Sequence, residues 1–293
     1  MRLYFATPKL NVIRKLAKKQ PDYKPNILLS FGSINADTHS LLGTARSLSD
    51  SIILDSGTWT LHECKEENRY KITIEKYEKY LESSANKYDY YFNFDESYEE
   101  NHAFEINSGH QERLEASGFK PIYVLHSTSG EEVDYCLEHK YEYVAVGSSS
   151  LTQKDETEKI VNLLYENDIK AHLFGCTKYS YLESIPVFSC DSASWTKVAN
   201  MEDTILYWNQ HDERQDKIHC DTKGNACEKG GYCYPKYPYK AELEQYLWDN
   251  FEFIHRDLMG IPGTDNRRIV NMFYYMELEK RINEIHVKLG FPW

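Results

Sequence analysis

Three aspartates close short apolar runs: Asp55 in LDSGTW, Asp95 in FNFDES and Asp191 in SCDSASW. Each is followed at once by a polar or small residue, a pattern that a loop capping the next helix would also show. If the runs are strands of one sheet whose C-terminal ends share a face, the carboxylates converge despite their separation in the chain. Converging carboxylates suit chemistry at an anomeric carbon. One attacks or stabilises an oxocarbenium-like centre while another moves a proton at the leaving or entering group. A third can bind, because an ionised Asp accepts from two adjacent N–H donors such as those on one edge of a guanine.

The cysteines form a second constellation. There are seven, an odd number in a chain with no recognisable secretory leader, which points to thiols or metal ligands rather than to a disulfide framework. Cys64, Cys136, Cys176 and Cys190 are scattered, whereas Cys220, Cys227 and Cys233 cluster and His255 follows. Three thiolates and an imidazole make a closed tetrahedral set, so a structural zinc ion is expected there. His219 competes with His255 as the fourth ligand, and free thiols in a surface loop are the plainer alternative.

Positioning these groups requires strands. Apolar, β-rich runs recur at 26–30, 51–55, 90–95, 121–126, 143–147, 170–175 and 186–191, with little polar alternation, as in strands buried on both faces. Helical patterns separate several of them, as in ITIEKYEKYLESSANKY, EEVDYCLEHK and TEKIVNLLYEND. Strand and helix in alternation predict an α/β fold with a parallel sheet. No G-x-G-x-x-G follows the first run and no Walker A motif occurs, so a (β/α)8 TIM barrel is favoured over a doubly wound sheet. Residues 196–240 read as polar and loop-like, followed by helices over 241–260, carrying His255, and over 266–290. The expected organisation is a barrel core at 1–210, a zinc-binding insertion at 211–260 and a C-terminal helix at 261–293.

The 293 residues suffice for one large core, and the net charge of -12 does not favour nonspecific phosphate binding. A local basic groove remains open, with Arg14, Lys15, Lys18, Lys19, Arg267 and Arg268 as candidates beside the alternative of a solvated face. The 24 tyrosines are read mainly as structural. No membrane span or signal peptide is legible, and a cytoplasmic protein is expected.

The ordered series of Asp-Ser-Gly at 55–57, a second Asp at 95, a late Asp at 191, then Cys…Cys…Cys…His and a long final helix resembles the tRNA-guanine transglycosylase superfamily. Within it the similarity is to the shorter phage and bacterial relatives that place 7-deazaguanines in DNA. The resemblance spans roughly 26–290 and implies a barrel with a structural zinc insertion that exchanges guanine for a 7-deazaguanine without breaking the strand. It implies that Asp191 attacks C1′, that Asp55 serves as general acid and base, and that Ser56, Asp95, His126, Gly147 and Ser148 contact the base. His126 falls where the tRNA enzymes carry a Gln. TWT after the Asp-Ser-Gly and SASW after Asp191 depart from the tRNA enzymes, so DNA is favoured over tRNA. The implied partners are nucleic acid and a free base such as preQ0 or a derivative, with a homodimer or a partner protein also compatible. A tRNA-acting enzyme and a metal-dependent barrel hydrolase, with His126 and His172 as isolated candidate ligands, are the enzymatic alternatives. A binding module on an inactive barrel is the third.

Overall fold

Eight short strands lie side by side, every neighbouring pair parallel, in the order β4-β3-β2-β1-β8-β7-β6-β5. The structure is a computed structural model and describes residues 1–33, 36–58, 72–96, 102–147, 154–221 and 230–293. The strands are β1 (Arg2–Ala6), β2 (Asn26–Ser30), β3 (Ile52–Asp55), β4 (Tyr90–Tyr91), β5 (Tyr123–Leu125), β6 (Tyr143–Val146), β7 (Lys170–Leu173) and β8 (Ser189–Ser192). A parallel bridge between Phe92 and Ile122 joins β4 to β5, the two ends of that order. Ile122 N–H donates to Tyr91 O at 2.8 Å and Asn93 N–H to Ile122 O at 2.9 Å. The sheet curls and is flanked by helices, a TIM-barrel-like α/β arrangement.

The expected runs supply seven strands, and the N-terminal RLYFA supplies β1, which the sequence reading passed over. Leu3, Tyr4 and Phe5 are each at most 1% exposed, so the run is buried on both faces and shows no alternation.

Helices run between the strands: α1 (Leu10–Lys19), α2 (Ala36–Leu48), α3 (Ile74–Ser84), α4 (Ala103–Ala116), α5 (Glu131–His139), α6 (Lys154–Glu166) and the single turn α7 (Tyr179–Leu182). The three helical patterns anticipated from sequence are α3, α5 and α6. Thr73 starts α3 because its hydroxyl accepts Lys76 N–H, which satisfies one of the donors that a helix start leaves unpaired.

Alternation along the strands turns one set of side chains inward, where Tyr4, Leu28, Ile53, Phe92, Ile122, Val124, Tyr143, Ala145 and Phe188 form a buried cluster. Each fully buried large apolar side chain there contributes roughly 1.5–3 kcal/mol. Two residues beyond Ile53, Val124 and Ala145 on the same faces come Asp55, His126 and Gly147. The column that builds the core therefore ends in the candidate site.

By chain contacts the protein forms two units, one of Met1–Thr7, Asn26–Ser192 and Ile282–Trp293, the other of Pro8–Pro25 and Ala193–Arg281. Residues 193–210, expected in the barrel core, thus belong to the second unit. That unit also corrects the loop-like reading of 196–240. It holds α8 (Ser194–Met201) and a three-stranded sheet of β9 (Thr204–Asn209), antiparallel β10 (Arg214–His219) and β11 (Tyr232–Cys233). Asn209 Oδ1 accepts His211 N–H at 2.9 Å and Asp212 N–H at 3.3 Å, which makes the hairpin turn. The expected helix over 241–260 stops early. Helix α9 (Lys240–Phe251) ends at Glu252, whose left-handed φ of 56° breaks it, and His255 lies on the following 3-10 turn His255–Leu258. The last helix, α10, spans Thr264–Leu289.

Two arginines proposed for a basic groove are structural instead. Arg267 is 0% exposed. Its guanidinium donates to Ala199 O at 2.9 Å, Leu258 O at 2.6 Å, Gly260 O at 2.9 Å, Thr264 Oγ1 at 3.1 Å and the Asp203 carboxylate. Arg268 bonds Thr196 and Asp265. Lys15 pairs with Asp265 and Lys19 with Glu252, while Arg14 and Lys18 are exposed. Among the described residues no helix is long and apolar enough to cross a membrane.

Removing a fully buried, multiply bonded cation leaves several carbonyls and a carboxylate unpaired, so Arg267→Ala should cost about 3–5 kcal/mol in urea unfolding followed by circular dichroism. A loss below about 1 kcal/mol would contradict this structural role.

Candidate active site

The Asp-Ser-Gly triplet sits where β3 meets its loop. Gly57 has φ +83°, and a Cβ there would lie 2.3 Å from Gly32 N and 2.7 Å from Gly32 Cα. Two backbone segments pass so closely that any side chain is excluded, and the positive φ independently favours glycine. The turn also folds Gly57 N–H back onto Asp55 Oδ2 at 3.2 Å.

Asp55, Asp95 and Asp191 come together at the C-terminal ends of their strands, near enough that both of the others disfavour the ionised form of Asp55. Burial is the largest cause, repulsion by Asp95 the next, and the Asp55 carboxyl is pushed up to about 7 against the opposing hydrogen bonds from Ser30 and Gly57. A carboxyl poised near neutrality can give a proton in one step and take one in the next.

Asp95 is held by three donors. Ser56 Oγ donates to its Oδ1 at 2.9 Å, Thr58 Oγ1 to the same oxygen at 2.7 Å, and His126 Nε2 meets Oδ2 at 3.3 Å. Ser56, expected to touch a base, is fully buried and its hydroxyl serves Asp95. His126 is likewise engaged on both sides. Its Nδ1 lies 3.4 Å from Glu132 Oε1, and its backbone N–H donates to Glu132 Oε2 at 2.7 Å. Glu132 lies in the first turn of α5, where the helix dipole favours a carboxylate. Burial lowers the His126 value, but the hydrogen bonds and charges of Asp95 and Glu132 outweigh it and raise it to about 9.

Asp191 is bound through one oxygen. Gly175 N–H donates to Oδ1 at 3.0 Å and His172 Nε2 lies 3.4 Å from it. Gly147 N–H, expected to contact a base, donates to Leu125 O at 2.8 Å within the strand ladder. Ser148 lies outside the described residues. Sequence reasoning missed Ser30, Thr58, Glu132 and Gly175. Thr58 shared a short segment with Asp55, but nothing local marked Glu132, one acid among several at a helix start. His126 and His172, weighed separately as catalytic metal ligands, each contact a carboxylate.

In the second unit Cys220 and His255 meet, with His255 Nε2 donating to Cys220 O at 2.8 Å and its ring stacked on Tyr234 at 3.9 Å. Cys233 is paired with His219 across β10 and β11, one residue from Cys220. It carries a disulfide whose partner lies outside the described residues, as does Cys227. Burial pushes the Cys220 thiol up to about 12. His219 uses Nδ1 on Thr204 Oγ1 at 2.7 Å and Nε2 on Gly230 O at 3.0 Å, leaving no ring nitrogen for a metal. Among the described residues no group of three or more His, Cys, Asp or Glu is arranged to hold a metal ion.

No protein-family model matches this chain, and no curated protein or solved structure matches it.

His126 offers a direct check on the site's electrostatics. A value raised from 6.5 to about 9 stabilises the fold fully below about pH 6.5 and loses that contribution as pH rises through 9. His126→Gln should therefore be less stable than wild type by about 2–3 kcal/mol at pH 6 and nearly equal to it at pH 9.5 in urea unfolding. A difference independent of pH would refute the arrangement.

Proposed function

We propose that the protein is a transglycosylase that exchanges guanine in nucleic acid, with DNA favoured over tRNA, for a 7-deazaguanine base. The observation that carries this reading is the meeting of three carboxylates at one set of strand ends with three different environments. One is bound through a single oxygen, one is held by three donors, and one is poised near neutrality. Base exchange at an anomeric carbon calls for a nucleophile, a proton carrier and a binding group. The TIM-barrel-like sheet supports the finer reading of a (β/α)8 barrel.

In this mechanism the target nucleotide leaves its stack and presents C1′ to Asp191. An Asp191 oxygen forms a bond to C1′ as the bond from C1′ to the guanine ring nitrogen breaks, and protonated Asp55 supplies the proton that the departing base needs. The incoming 7-deazaguanine gives its ring proton to the Asp55 carboxylate, its nitrogen attacks C1′, and Asp191 is released unchanged. No net charge or proton is left over. Asp95 has one lone-pair direction left beside His126 for the edge of the base, while Ser56, Thr58 and His126 hold the carboxylate still.

Cys220, Cys227, Cys233 and His255 are proposed to hold a structural zinc ion when the cysteines are reduced, a reading supported by the hydrogen bond that brings His255 to Cys220. The disulfide at Cys233 is incompatible with that state, and zinc takes no part in the exchange.

Asp191→Asn should abolish covalent trapping on guanine-containing DNA and lower exchange at least about 1,000-fold, with an unchanged circular dichroism spectrum. Undiminished exchange by that variant would sink the mechanism. Protein purified under reductant should carry one zinc per chain and lose it with Cys220→Ser, as read by metal analysis. Metal-free reduced protein that is folded would reject the zinc site.

A further inference from the structure

The interior of the sheet contains a chain of polar groups that the exchange reaction does not by itself require. Tyr143 OH lies 2.5 Å from Ser189 Oγ, Ser189 Oγ lies 2.6 Å from His172 Nδ1, and His172 Nε2 lies 3.4 Å from Asp191 Oδ1. His172 is 0% exposed and packs against the rings of Phe92 at 4.9 Å and Phe174 at 4.8 Å. A buried imidazole among aromatic rings is costly unless its nitrogens are bonded, and here both have partners.

We propose that His172 is a positioning residue for Asp191, fixing Oδ1 through an Nε2–H that the Tyr143 and Ser189 hydroxyls impose, so that Oδ2 is the oxygen presented to substrate.

The direction of the chain follows from its far end. Burial raises the Tyr143 hydroxyl well above its ordinary range, so it keeps its proton. That proton goes to Ser189 Oγ, the partner Tyr143 OH has among the described residues. Ser189 then donates to His172 Nδ1, which must be the unprotonated nitrogen, and the ring proton sits on Nε2, facing Asp191. Register supports the arrangement. His172 pairs with Ser189 across β7 and β8, and Asp191, two residues on, shares that face. Gly175 N–H donates to the same Oδ1, and Oδ2 accepts no hydrogen bond among the described residues. Two donors on one oxygen prevent rotation of the carboxylate and leave the other oxygen's lone pairs for C1′.

The part concerning C1′ rests on the proposed function; the pinning of Asp191 does not. Two measurements need no substrate. Nitrogen NMR of the wild-type protein should show His172 protonated on Nε2 and not on Nδ1, and the opposite tautomer would overturn the proposal. Carbon NMR of the Asp191 carboxylate should show its chemical shift displaced in His172→Asn, which loses the donor. His172→Gln, whose amide can reach Oδ1, should restore it. An unchanged carboxylate signal in folded His172→Asn would overturn the proposal, as would equal displacements in both variants. If exchange occurs, His172→Asn should slow formation of the covalent intermediate roughly 10–100-fold at unchanged KM for DNA, with recovery in His172→Gln. Absence of exchange in wild type would discard the proposed function, and the NMR results would still decide the role of His172.

Discussion

Three carboxylates gathered at one mostly buried set of strand ends repel one another, and the surrounding structure is organised around that repulsion. Each acid is treated differently. Asp95 accepts Ser56, Thr58 and a His126 that is itself held by Glu132. Asp191 accepts Gly175 N–H and His172 through one oxygen. Among the described residues Asp55 has Ser30 and Gly57 to offset burial and two acidic neighbours, and it carries the shift towards neutrality. Unequal solvation of chemically identical groups is what separates proton carriers from acceptors and nucleophiles.

The parallel sheet makes such crowding feasible. Its strands are joined laterally by ladders that continue through the Phe92–Ile122 bridge, so the residues at the strand ends are placed by the same alternation that packs Ile53, Val124 and Ala145 below them. Polar side chains of the interior continue that pattern, with Tyr143, Ser189 and His172 linked by hydrogen bonds beneath Asp191. Core and site are successive layers of one structure. A close backbone approach, Gly57 against Gly32, lies at the Asp-Ser-Gly turn, where a bulkier residue would displace Asp55 and Ser56 together.

The second unit is stabilised by other means. Arg267, wholly buried, gathers carbonyls from Ala199, Leu258 and Gly260 and the Asp203 carboxylate, tying the start of α10 to α8 and to the turn before it. Such a cation reads in the sequence as part of an Arg-Arg pair fit for phosphate, because charge is visible in a sequence and burial is not. The region over 196–240 misled for a related reason. Its β10 carries exposed Arg214 and Lys217, and buried Asp216 is satisfied by Asn209, Tyr237 and Arg214 rather than by an apolar pattern.

From sequence alone, the apolar runs, the helical stripes and the acids at the strand ends were legible, because burial on both faces removes polar alternation and turns demand particular residues. These features sufficed for an α/β chain with Asp55, Asp95 and Asp191 at comparable places. The first strand was not legible, since four apolar residues after an arginine near a terminus carry no period to distinguish them. Nor were the partners of the acids. Thr58, Glu132, Gly175 and the Ser189 to His172 contact depend on which strands and helices become neighbours, and that is decided by packing over long sequence separations. The three acids alone set out the chemical material. Which of them would be pinned through one oxygen, which held by three donors and which left near neutrality was decided only when the tertiary structure fixed the distance of each from water, from its donors and from the other two.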